Sequence, residues 1–145
     1  MEYEPLPIIS KEFSGIAIQL INQANICIDI VVYDWRFYKA DPANAVSLFN
    51  QSIARACQRG VRVRCLVQNA GIVDRLKELG CDARMLQSKK ILHTKLLMID
   101  RIGIIIGSHN YTQHAFTSNH EASIYVRLEN EQNGFVEYFN NLFGL

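Results

Sequence analysis

The hydrophobic positions of the chain follow two rhythms. Phe13, Ile16, Ala17, Leu20 and Ile21 recur at i, i+3, i+4, i+7 and i+8, one stripe of a 3.6-residue period, so a helix is predicted from Ser10. ICIDIVVY (Ile26 to Tyr33) is instead a short β-branched run suited to a buried strand, with Asp29 as its one charged position. Asp41-Pro42 has the form of a helix start, a capping carboxylate before a proline at the first helical position, and Gly60 the form of its stop. Val61 to Val67 reads as a second strand, Ile72 to Leu79 as a helix closed by Gly80, and CDARML as a third strand. Strand, helix, strand, helix, strand is the order of an α/β unit built on parallel strands.

After Lys90 the rhythm changes. ILHTKLLMID (Ile91 to Asp100) and IGIIIG (Ile102 to Gly107) are apolar strands joined across Asp100-Arg101, close enough for a hairpin, and EASIYVRL supplies one more strand. From Glu131 onward, Phe135, Val136, Phe139, Leu142 and Phe143 form a helical stripe, so the chain ends by docking a helix. No repeat, linker or low-complexity segment interrupts the pattern. The predicted architecture is one α/β domain over residues 1–145, with a mixed, largely parallel β-sheet flanked by helices on both faces.

Composition narrows the picture. With 145 residues, 49% of them apolar, the chain can form one real core, since folding at this size removes roughly 70% of the unfolded surface from water. The formal net charge is +1, so any affinity for phosphate must be local. Cys27, Cys57, Cys65 and Cys81 form no CxxC pair and lie in apolar or helical patterns, as expected of free thiols in a reduced protein. No run approaches the ~20 apolar residues of a membrane span, and MEYEPLPIIS lacks the order of a signal peptide. The expectation is a soluble, cytoplasmic protein without stable membrane association.

Candidate chemistry concentrates in ILHTKLLMID. Strand side chains alternate, so His93, Lys95 and Leu97 share one side while Leu92, Thr94, Leu96 and Met98 share the other. His93 and Lys95 are then about 6 to 7 Å apart along the strand and can address one anion. Lysine is almost never buried unless paired, which makes Lys95 the harder residue to explain as core. Asp100 follows five positions on, and Gly107-Ser108-His109-Asn110 forms a glycine-opened polar turn directly after IGIII.

His93-x-Lys95-x4-Asp100-x6-Gly107-Ser108-x-Asn110 resembles the HKD motif of the phospholipase D superfamily, and Glu121 resembles the acidic residue that follows in its nuclease members. The His-Lys-Asp triplet alone arises by chance in roughly one such chain per hundred, and Gly107 and Asn110 cut that by about a few hundredfold. The resemblance extends over most of the chain. It implies a phospholipase D-like fold and a phosphodiester substrate.

It also implies roles. His93 attacks phosphorus to give a phosphohistidine, splitting one hard hydrolysis into two transfers, a task for which a neutral imidazole is competent. Lys95 and Asn110 hold the non-bridging oxygens, and Ser108 donates to them. Glu121 fixes the tautomer of the histidine, and Asp100 orients groups across the site. The departing alkoxide needs a proton that a second HKD histidine supplies, yet the chain holds one such motif. Small single-motif members solve this by pairing, so a homodimer with one composite site is expected. His109, His114 and His120 are the alternative acids near the motif, though each is expected at the surface or rim. No cofactor and no metal are expected: the histidines form no HxxxH pair and no cysteine lies near the motif.

Specificity must come from the surroundings. From Asp82 to Arg101, Arg84, Lys89, Lys90, Lys95 and Arg101 outnumber Asp82 and Asp100, a local basic excess that favours a polyanion. Tyr33, Trp35, Phe37 and Tyr38 suit base stacking, a lipid mouth or the core. The preferred reading is a metal-independent endonuclease whose first expected substrate is DNA, with RNA second. The alternatives are a phospholipase D-type lipid hydrolase and a non-catalytic nucleic-acid-binding module of a larger assembly.

Overall fold

The computed structural model describes residues 5–144. Along the chain run β1 (Leu6–Ile9), a 3-10 turn (Ser10–Glu12), α1 (Phe13–Gln23), β2 (Cys27–Val31), α2 (Ala45–Gln58), β3 (Arg62–Val67), α3 (Ala70–Leu79) and β4 (Asp82–Met85). They are followed by β5 (Leu96–Ile99), β6 (Gly103–Gly107), α4 (Gln113–Thr117), β7 (Ala122–Arg127) and α5 (Gly134–Phe143). The strands make one sheet in the order β1-β7-β6-β5-β2-β3-β4.

Helices cover both faces, as the doubly apolar strands require. Ile28 and Ile30 of β2, Val63 and Cys65 of β3 and Leu97 of β5 pack with Phe13, Ala17, Phe49 and Ile53 of α1 and α2. Val31, Leu66, Leu96, Met98 and Ile104 face the other way, onto Phe139 and Phe143 of α5. The mixed sheet is as expected, but its balance differs from the expectation of a largely parallel one. Only β2–β3 and β3–β4 are parallel, and β1–β7, β7–β6, β6–β5 and β5–β2 are antiparallel. A parallel neighbour needs a crossover, which α2 and α3 provide, whereas a tight turn forces β5 and β6 to run antiparallel.

Two local starts also differ. α2 begins after Asn44, whose Oδ1 accepts from the Ser47 amide at 2.9 Å, while Asp41 instead holds the preceding turn through the Ala43 amide at 3.3 Å. Asn44 is the cap because the stripe to be buried is Val46, Phe49, Ile53 and Ala56. Leu6–Ile9 (LPII), which is not among the elements expected above, forms β1, paired with β7 alone. Proline has no N–H to give, so Pro7 is tolerated on an edge strand.

The β5–β6 turn explains Asp100. Asp100 and Arg101 have φ of +52° and +64°, and the Ile102 amide donates to the Ile99 carbonyl at 3.2 Å, the left-handed pair that matches hairpin twist. From there the Asp100 carboxylate accepts from the amides of Ile26 at 2.7 Å, Cys27 at 3.0 Å and Asn25 at 3.1 Å. It clamps the α1–β2 connection to the hairpin. Asp100→Ala strands these amides and is expected to lower folding stability by about 2 kcal/mol, read as a lower urea midpoint at unchanged m-value.

Candidate active site

Strand directions bring four chain segments to one end of the sheet. Val31 ends β2 opposite Leu96, which begins β5, Leu96 pairs Ile106 near the end of β6, and Gly107 pairs Ser123 at the start of β7. His93, Lys95, Ser108, Asn110 and Glu121 all lie in the loops at this end. Asp100 lies at the other, beyond Ile99, so the structure does not bring it to the site.

The HTK stretch is not itself in the sheet, because the ladder of β5 starts only at Leu96. The alternation of side chains nevertheless continues: Leu92 packs with Leu96 and Met98, and Thr94 Oγ1 lies 2.6 Å from the Tyr138 hydroxyl of α5. Gln68 replaces the missing ladder, accepting from the Leu92 amide and donating to the Lys90 carbonyl, each at 2.7 Å. Nothing in the sequence marked Gln68. Exposed His93 and half-buried Lys95 leave from the opposite side.

Their separation is smaller than the strand rise suggested. Lys95 Nζ lies 3.2 Å from His93 Nδ1 and 3.3 Å from Nε2, where an ammonium can donate only to a ring nitrogen that lacks a proton. Burial pushes the Lys95 ammonium below its usual value, and the Glu121 charge partly opposes this. A lysine so desolvated bonds strongly to any oxyanion that enters.

The polar turn after β6 depends on Gly107. A Cβ there runs into Ser123 and the Ala122 carbonyl, so glycine lets β6 and β7 approach closely just before the polar residues. Ser108 Oγ donates to Glu121 Oε1 at 2.5 Å and accepts from the Ala122 amide at 3.0 Å, and Asn119 Nδ2 donates to Glu121 Oε2 at 3.1 Å. The Glu121 carboxylate is therefore held by Ser108 and Asn119, and the bond to His93 that the resemblance implies is not formed here. Asn110 Oδ1 accepts from the Asp34 amide at 3.0 Å, which directs the donor end of its amide away from that loop. Asn119 carried no sequence signal.

His109 corrects an expectation. It was expected at the rim and is buried, stacked on Phe13 with centroids 4.5 Å apart. Nε2–H donates to the Ser10 carbonyl at 2.8 Å, so Nδ1 accepts from the Ser123 hydroxyl at 2.7 Å. Burial lowers its pKa below the ordinary 6.5. Below about pH 6.5 the unfolded chain therefore takes up a proton that the folded chain resists, and stability falls until the folded pKa is reached. Urea melts between pH 7.5 and 5.5 are expected to show this decline, with a smaller slope in His109→Gln. His114 and His120 are exposed, as expected.

The aromatic run divides. Trp35 is core, its Nε1–H donating to Asn50 Oδ1 at 2.7 Å, and Phe37 and Tyr38 pack against the same cluster. Tyr33 is 48% exposed, with its ring 5.3 Å from that of His93. The basic excess also shrinks. Arg84 lies over the Phe143 ring at 3.9 Å and donates to its carbonyl, and Arg101 pairs with Glu131 at 3.2 Å. Lys89 and Lys90 remain, exposed on the chain leading into His93. Among the described residues, no three His, Cys, Asp or Glu side chains cluster as metal ligands, and no helix is long and apolar enough to cross a membrane.

A family model described as "Cardiolipin synthase, PLD-like domain" matches residues 17–143. Among solved structures the chain is similar to Nuc from Salmonella typhimurium, a phospholipase D family member, at TM-score 0.78 and 19% identity over 97% of this chain and 95% of Nuc. NucT from Helicobacter pylori superimposes at TM-score 0.67 and 18% identity, covering 99% of this chain and 97% of NucT. The phosphatidylserine synthase of Haemophilus influenzae Rd KW20 superimposes at TM-score 0.75 and 14% identity, over 97% of this chain but 38% of the synthase. No curated protein matches the sequence.

Proposed function

Because the chain belongs to the PLD-like domain family whose model spans residues 17–143, we propose that it is a metal-independent phosphodiesterase that cleaves nucleic acid, DNA or RNA. The observation that carries this reading is the His93–Lys95 pair, with Nζ within 3.3 Å of both ring nitrogens, at the sheet end that also holds Ser108, Asn110 and Glu121. A ring nitrogen of His93 attacks phosphorus, the P–O bond to one sugar breaks, and the departing alkoxide takes a proton from the His93 of a second copy. Water then attacks the phosphohistidine, giving its proton to that second histidine and freeing the first. Lys95 and Asn110 donate to the non-bridging oxygens throughout. Glu121, tied to Ser108, keeps a negative charge near Lys95 and so favours its ammonium form.

The test is a panel of single- and double-stranded DNA, RNA and phosphatidylcholine vesicles, incubated with wild type and His93→Ala in excess EDTA. Cleavage of nucleic acid that the variant loses supports the reading. Activity that disappears with EDTA in the wild type contradicts it, and salt-sensitive binding of DNA without cleavage favours a binding module.

One observation favours a second reading. A groove of about 690 Å³ lined by Leu96, Ile106, Leu128, Phe135 and Tyr138 opens beside Thr94. Its apolar walls suit an acyl chain, which supports a phospholipid hydrolase. Cleavage of phosphatidylcholine but of no nucleic acid is the outcome that favours it.

A further inference from the structure

Tyr33 occupies the mouth of the candidate site without a place in the chemistry above. It directly follows the β2 pairing, and its backbone is held on both sides. The Val32 amide donates to the Leu66 carbonyl at 3.4 Å, the Asp34 amide to Asn110 at 3.0 Å, and the Asp34 carbonyl accepts from the Tyr111 amide at 2.9 Å. The ring is therefore presented by a rigid segment. It meets His93 at 5.3 Å and an interplanar angle of 48°, with Lys95 Nζ 5.7 Å from its centroid, and nearly half of the residue stays open to solvent. Trp35, two positions on, has its ring packed into the core, so the openness of Tyr33 is particular to this position.

An aromatic face fixed one ring away from the nucleophile fits a flat group attached close to the scissile phosphate. A nucleobase is such a group, one sugar removed from its phosphate, and bases stack on aromatic side chains whatever their sequence. A choline headgroup fits less well, because the Lys95 ammonium already lies beside the ring and like charges repel. We infer that Tyr33 is a stacking platform for the base next to the scissile phosphate, so the favoured substrate is a strand whose bases are free to leave their own stack. This inference rests on the nucleic-acid reading and gives Tyr33 the task of binding and specificity, separate from the reacting groups.

The experiment compares a single-stranded oligothymidylate with an abasic strand of equal length and phosphate count, and with the oligothymidylate in duplex form. Wild type is expected to cleave the base-bearing single strand with a kcat/KM about tenfold or more above the abasic strand, and to cleave the duplex more slowly. Tyr33→Phe keeps the base-bearing to abasic ratio, and Tyr33→Leu brings it near one. Equal rates on both strands in the wild type, or a ratio that Tyr33→Leu leaves intact while both rates fall, overturn the platform and leave the nuclease reading standing. Cleavage of neither strand by wild type overturns the nuclease reading, and the platform with it.

Discussion

Replacing His93 with alanine is expected to lower phosphodiester cleavage by about four orders of magnitude or more, because it removes a covalent nucleophile and no neighbouring group replaces the bond it makes. The fold is expected to be unaffected. His93 is exposed, lies outside the β5 ladder, and shares its nearest polar contact, Lys95, with no core residue. Thermal and urea midpoints of the variant should therefore match those of wild type, which separates lost chemistry from lost structure. Mixtures carry more information. In a composite site, one His93 attacks and its symmetry mate protonates the leaving group, so a mixed dimer lacks one of the two roles. Co-refolded mixtures of wild type and His93→Ala should then follow the square of the wild-type fraction, about one quarter of full activity at equal parts. A linear dependence, or an active species of monomer mass by light scattering, would sink the shared site.

Arg64→Met is expected to cost about 3–5 kcal/mol of folding stability, a large share of what a domain of this size possesses. Asp29 sits mid-strand in β2 with 1% of its side chain exposed, and Arg64 Nε donates to its Oδ1 at 2.7 Å. The same guanidinium lies 4.8 Å from the Phe139 ring and 5.3 Å from that of Phe143, and donates to Asn140 Oδ1 at 3.3 Å. One side chain thus neutralises a buried carboxylate and docks α5 onto the sheet. Methionine keeps volume but takes the guanidinium's hydrogen bond and charge away from a carboxylate that is 1% exposed. The double variant Asp29→Leu/Arg64→Met removes both charges and should recover most of the loss, since a buried pair replaced by apolar groups is often close to neutral. Urea unfolding of the two variants reads this directly. A single variant as stable as wild type would mean that water reaches Asp29 and the pair contributes little.

The buried pair also shows where sequence reasoning stopped. Asp29 stood out in ICIDIVVY, but its partner is 35 residues away and nothing local couples the two. Asp100 shows the opposite error. Its place in the motif suggested the site, yet five residues of extended chain at about 3.3 Å each carry it roughly 16 Å from Lys95, to the far end of the strand. There it serves the backbone of the α1–β2 connection. His109 lies inside the motif and proved to be a core residue, because its two ring nitrogens have partners on Ser10 and Ser123.

By itself the sequence determined most of the elements, though not β1 or α4, together with the α/β class and the pairing of His93 with Lys95. Those rest on periodicity, on glycine and capping signals, and on a two-residue spacing, all of which are properties of neighbouring residues. Only the tertiary structure decided that four loops meet at one end of the sheet, that Glu121 is held by Ser108 and Asn119, that Gln68 braces the HTK segment, and that Tyr33 alone of its aromatic run stands in the mouth. Strand order and direction set those contacts, and they depend on how distant segments share a core, a quantity that no local pattern carries.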